Sequence, residues 1–130
     1  LEEKQKVYPA SPSGVPGVQT LVPIMLNHVN NGKLTLEHFV ELTAHNPARI
    51  FGVRNKGQIK IGYDADFTIV DLNKTQTIAN SWIASKCAWT PFDGMTVKGW
   101  PTYTIIDGQI IMKDDQILKP HSGRPVDFEI

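Results

Sequence analysis

The side chains best suited to metal or proton chemistry in this sequence are His28, His38, His45 and His121. None of them forms the His-x-His or His-Glu-x-x-His spacing that presents two imidazoles to one metal ion. His38 and His45 lie seven residues apart. They could share a face of one continuous helix, but the local pattern ends the helix between them. All four read as solvated or core-edge histidines. Asp64 and Asp66 follow Gly62 and carry the charge to meet a cation, yet in that position they cap a turn. Cys87 has Trp89 close by and no paired histidine, which describes a packed thiol rather than a nucleophile. No catalytic residue and no metal ligand is expected in this chain.

The stretch Ser11-Pro12-Ser13-Gly14-Val15-Pro16-Gly17 is more informative. Glycine-containing turns expose backbone N–H and C=O groups, which can hold a polar ring or a carboxylate without side-chain help. On composition alone, a plain connector ahead of a helix is the preferred reading.

The elements around that loop follow from periodicity. Residues 7–17 hold three prolines and two glycines, a loop with fixed kinks. Val18, Leu21, Val22, Met25, Leu26 and Val29 fall at helical spacing, with Pro23 near the helix start and Asn30-Asn31-Gly32 at its end. A second helix reads from Thr35 as N-cap, with Leu36, Phe39, Val40 and Thr43 on its apolar face. Asn46 then reads as the N-cap of a separate short helix, with Pro47 in its first position, running through Ile50-Phe51 to Gly52. After Gly57 the period changes. Residues 58–62 alternate, and 67–72, 102–106 and 109–112 are rich in β-formers, with Asp107-Gly108 as a two-residue hairpin turn. Helices first and strands afterwards suggest α+β parts that need more chain to pack against.

The bulk properties exclude several function classes. A chain of 130 residues supports one domain with a core. Thirteen basic and thirteen acidic side chains cancel to a net charge of zero, so no field draws nucleic acid or an anionic membrane. One cysteine leaves no internal disulfide and fits a reducing cytoplasm. No apolar run approaches the ~20 residues of a membrane span, and no signal-peptide plan opens the chain. The sequon Asn73-Lys74-Thr75 reads as chance.

Four stretches, in order and spacing, resemble the C-terminal third of dihydroorotases, in the cyclic amidohydrolase branch of the amidohydrolase superfamily. They are Glu2-Glu3-Lys4 with Pro12-Ser13-Gly14-Val15-Pro16-Gly17-Val18-Gln19-Thr20; Asn46-Pro47-Ala48-Arg49-Ile50-Phe51-Gly52; Lys56-Gly57-Gln58-Ile59 with Gly62-Tyr63-Asp64-Ala65-Asp66-Phe67; and Ser85-Lys86-Cys87-Ala88-Trp89-Thr90-Pro91-Phe92-Asp93-Gly94-Met95. The Gly-x-Asp-Ala-Asp stretch belongs to the whole superfamily. The Pro-Ser-Gly-Val-Pro-Gly and Ser-Lys-Cys-x-Trp-Thr-Pro-Phe-x-Gly stretches are more particular to dihydroorotases.

The resemblance implies an α/β fold: the C-terminal part of a TIM-like (β/α)₈ barrel and strands of a small composite β-sandwich. Residues 1–57 would be the last barrel loop and C-terminal helices, and residues 58–130 the sandwich strands and tail. It also implies a zinc-dependent enzyme that interconverts carbamoyl-aspartate and dihydroorotate in pyrimidine biosynthesis, the metal making hydroxide at neutral pH and an aspartate moving the proton. The family's zinc ligands are a His-x-His pair, a carboxylated lysine, two further histidines and the aspartate of an Asp-His-Ala-Pro-His motif. None of those motifs occurs in this sequence, so zinc would be bound by other parts of the protein. What carries over is backbone contact to substrate at Ser13 and Gly14, although some members have Phe where Ser13 stands. The implied partners are a small-molecule substrate and the rest of the same polypeptide; a homo-oligomer is compatible, nucleic acid and membrane are not. Allantoinase, hydantoinase and a non-catalytic dihydroorotase-like scaffold remain as alternatives.

Overall fold

The computed structural model describes residues 2–118 and 123–129. Three helical segments precede a four-stranded antiparallel sheet of order β1-β2-β3-β4. Helix α1 (Leu21–Asn30) follows the proline-rich loop. Its start is held by the Gly17 carbonyl, which accepts from the Leu21 N–H at 3.0 Å and the Thr20 N–H and hydroxyl at 3.2 Å. The expected helix thus begins three residues later than Val18, which is 97% exposed. Pro23 stands in the first turn, where its missing N–H is not needed.

Helix α2 (Leu36–Val40) is capped as its sequence requires, the Thr35 hydroxyl accepting from the His38 N–H at 3.1 Å. It does not end before His45. A π turn (Glu41–His45) carries it directly into α3 (Asn46–Ile50), and Asn46 sits at φ −67°, ψ −43° inside the helix rather than capping a new one. Proline in an unbroken α-helix would drive its ring into the carbonyl four residues back. One wider turn ahead of Pro47, marked by the Asn46 N–H reaching the Glu41 carbonyl, relieves that conflict without stopping the helix.

Strand β1 (Phe67–Thr77) pairs along β2 (Thr96–Ile106), which pairs with β3 (Gln109–Lys113), and β3 with β4 (Gln116–Ile117). Asp107 and Gly108 form the β2–β3 turn with φ of 50° and 74°, the left-handed pair of a type I′ hairpin. Pro101, which cannot donate to a ladder, stands opposite Val70 beside a register shift. Residues 58–62, expected as a strand, are irregular, with Ile59 89% and Ile61 fully exposed. Among the described residues no strand lies alongside them, and a lone strand has no ladder to form.

The core sits where α1 lies on β2. Ile78, Val97 and Trp100 are buried, with Ile24, Trp82, Phe92 and Met95 packed against them. Leu26 of α1 is also fully buried, so the expected apolar stripe is only partly covered: Leu26 packs into this chain while Leu21, and Val18 ahead of the helix, are exposed. The Trp82 and Trp100 rings lie 4.6 Å apart, and both indole N–H groups donate to one Asp115 carboxylate oxygen, at 2.8 and 2.9 Å. That oxygen keeps two large apolar rings from burying unpaired donors.

The helix reaches the strand because Gly99 has no side chain. A Cβ there would stand 2.6 Å from the Leu26 Cβ and 3.2 Å from the Asn30 amide, at a φ of +103°. Gly62, at φ +90°, has nothing within 4 Å. Gly99→Ala is expected to destabilise the fold by roughly 2–5 kcal/mol, strain plus overpacking. Gly62→Ala carries only the strain, roughly 1–3 kcal/mol. Urea unfolding of both variants checks this, and equal losses would mean the close approach at Gly99 carries no weight.

Candidate functional site

The loop holding Ser13 and Gly14 is built from two ends. At its far end Gly17 starts α1, as above. At its near end a 3₁₀ turn (Glu2–Gln5) presents Lys4, whose Nζ donates to the carbonyls of Pro12, Ser13 and Gly14 at 2.5, 3.1 and 2.5 Å. The Ser11 hydroxyl returns a bond to the Lys4 carbonyl at 3.4 Å. Ser13 and Gly14 are exposed, and Gly14 has φ +82° with open space where a side chain would stand. The requirement for glycine there is conformational rather than a matter of room within this chain. Next to the loop, Gln19 ties α1 to the segment beyond β1: its amide donates to the Trp82 carbonyl at 2.8 Å and accepts from the Ala84 N–H at 2.9 Å.

Sequence reasoning gave Lys4 no role beyond its place in the Glu2-Glu3-Lys4 stretch. It stands in the charged run Glu2-Glu3-Lys4-Gln5-Lys6, and its carbonyl partners lie eight to ten residues on. The available signal was a lysine shortly before a loop whose prolines leave carbonyls without local donors.

The other candidates are not brought together. His38 contacts Glu41 at 3.4 Å, and the His45 Nδ1 lies 2.9 Å from the Gln58 amide. His28 leaves its Nδ1 buried without a hydrogen-bond partner. His121 lies outside the described residues. Asp64 and Asp66 share Lys56, the first at 3.0 Å, and Asp66 also accepts from the Asp107 N–H at 2.8 Å. Arg124 reaches Asp107 at 2.5 Å and Asp64 at 3.8 Å. Protein cations therefore occupy the place a metal would take, and the cluster fastens the loop before β1 to the β2–β3 hairpin. Among the described residues no three His, Cys, Asp or Glu side chains gather in a way that could hold a metal ion, so they do not fit zinc. Cys87, expected to be packed, is exposed. Residues 85–88 are exposed, with Ala88 at φ +51°, and the Ser85 hydroxyl beside the thiol is the main influence lowering its pKa.

Three comparisons bear on these features. Residues 17–111 match the amidohydrolase family. The chain is 45% identical over 127 residues to a dihydroorotase of Pyrococcus furiosus, covering 97% of this chain and 30% of that protein. It is 39% identical over 129 residues to a dihydroorotase of Methanothermobacter thermautotrophicus, covering 99% and 30%. Among solved structures, an L-hydantoinase (dihydropyrimidinase) from Arthrobacter aurescens aligns with TM-score 0.81 at 37% identity, covering 85% of this chain and 25% of that one. The chain thus spans about 30% of the length of the relatives it matches.

The Lys56 bond to Asp66 holds that carboxyl below the usual carboxylate range, and Asp66 in turn raises Lys56. A carboxyl with a lowered folded pKa stabilises above its unfolded pKa and loses that contribution as pH falls through the folded value. A lysine with a raised pKa stabilises below its own unfolded value. Lys56→Met is therefore expected to lower the melting temperature at neutral pH and to flatten its decline in acid. Melting curves across the acid range test this; an acid limb as steep as wild type would contradict it.

Proposed function

The chain belongs to the amidohydrolase family, and from that premise we propose that it is the C-terminal part of a dihydroorotase, a zinc-dependent enzyme interconverting N-carbamoyl-L-aspartate and L-dihydroorotate in pyrimidine biosynthesis. The observation that carries this reading is the similarity to dihydroorotases along nearly the whole chain, at 45% and 39% identity. It is supported by a loop that stands open to solvent with glycine at a left-handed φ. In this reading the backbone of Ser13 and Gly14 holds the substrate. The zinc ligands and the proton-moving aspartate come from the remaining polypeptide, which also covers exposed apolar side chains such as Ile59, Ile61 and Val18. The metal, when bound, supplies hydroxide and polarises the amide carbonyl. This chain's residues bind and orient the ring.

The likeness to a hydantoinase structure favours one second reading, a related enzyme acting on hydantoins or dihydropyrimidines. Steady-state kinetics of the full-length protein on dihydroorotate, hydantoin and dihydrouracil separate the two. The proposal expects the highest kcat/KM on dihydroorotate; preference for either neutral ring would overturn it. Gly14→Val should lower kcat/KM on dihydroorotate by at least ~10-fold, about 1.4 kcal/mol. Ser13→Ala should do much less, and zinc content should be unchanged in both. A Ser13→Ala defect larger than that of Gly14→Val would give the hydroxyl the part assigned to the backbone.

A further inference from the structure

Lys4 is unassigned in the reading above, yet its contacts are specific. An ammonium has three N–H donors and no acceptor, and all three have a carbonyl within reach, from three consecutive residues, Pro12, Ser13 and Gly14. The peptides joining residues 12 to 15 are trans. In a trans peptide the N–H points opposite to its own C=O. Drawing three successive carbonyls to one side therefore turns the N–H groups of Ser13, Gly14 and Val15 to the other. Successive backbone N–H groups that face one way form a concave site for an anion or a carbonyl oxygen.

We propose that Lys4 is a positioning residue. It gathers the carbonyls of residues 12–14 and so aims the opposite N–H groups at an oxygen of the substrate, its carboxylate before its ring carbonyls because charge strengthens such bonds. This rests on the reading that the loop binds dihydroorotate. Lys4 does not touch substrate; it fixes which face of the loop backbone the substrate meets. The left-handed Gly14 and the return bond from Ser11 to the Lys4 carbonyl complete the same small ring of contacts.

The test uses the full-length protein with Lys4→Met, which keeps the stem and removes the donors, and Lys4→Arg, which restores donors. Three measurements are made: KM and kcat on dihydroorotate, affinity for the product-like carboxylate orotate, and the rate of elastase nicking between residues 10 and 18 without ligand. Lys4→Met is expected to raise KM and weaken orotate at least tenfold while kcat stays within about threefold, and to speed nicking severalfold. Lys4→Arg should recover part of each effect. Unchanged nicking in Lys4→Met overturns the clamp itself. Faster nicking with unchanged KM and orotate affinity overturns the aiming role, as would a fall in kcat with KM unmoved. A wild type that neither hydrolyses dihydroorotate nor binds orotate sinks the substrate reading alone, and the nicking comparison still decides the clamp.

Discussion

The seam between α1 and β2 is the contact on which the rest of the molecule depends. Gly99 lets the helix backbone approach the strand at Leu26, and two asparagines fasten what the glycine admits. The Asn30 amide donates to the Leu72 and Lys98 carbonyls at 3.1 and 3.0 Å, and the Asn27 side chain accepts from the Lys98 N–H at 3.0 Å. Helix, β1 and β2 are thereby joined at one point. Trp100, the next residue along β2, is buried at that seam and packs at a tilt against Trp82. The loop that holds Ser13 and Gly14 feeds straight into this helix through Gly17, so the loop's far end inherits the rigidity of the seam.

A second set of ties acts at the other end of the sheet and is electrostatic. Lys56 and Arg124 hold Asp64, Asp66 and Asp107 together, and the Arg124 side chain is 69% exposed. Exposed pairs of this kind contribute little each, and salt screens them. Backbone pairing adds to them: Val53 bridges Phe128, and the Arg54 and Glu129 N–H groups reach across at 2.9 and 2.7 Å. Gly57 completes the corner, since a Cβ there would stand 2.6 Å from Ala48 and 2.7 Å from the Ala44 carbonyl.

Much of this was legible in the residues. Thr35 as a cap, Asp107-Gly108 as a hairpin turn and the β-rich runs around 67–72 and 102–112 all act locally, and local chemistry decided them. The misreadings were non-local. The π turn before Pro47 depends on a carbonyl five residues back, not on a capping side chain. The alternation of residues 58–62 specifies a strand only when a neighbour supplies a ladder. Pro101 lies inside β2, where propensity argues against it, because a register shift accommodates its missing donor. At the loop, Ser13 and Gly14 were named through family resemblance alone; the left-handed φ of Gly14 explains why glycine stands there. Lys4 was quoted within a family-like stretch but given no role, because nothing in its own neighbourhood marks a lysine that bonds carbonyls of a later turn.

The central claim, that the loop backbone of this chain meets the substrate, is tested most directly by a crystal structure of the full-length protein with orotate bound. The account expects an orotate oxygen within about 3.2 Å of the Ser13 or Gly14 backbone N–H, on the side of the loop opposite Lys4. Orotate seated in the enzyme with those N–H groups turned away from it, or with Lys4 itself on the carboxylate, would contradict it.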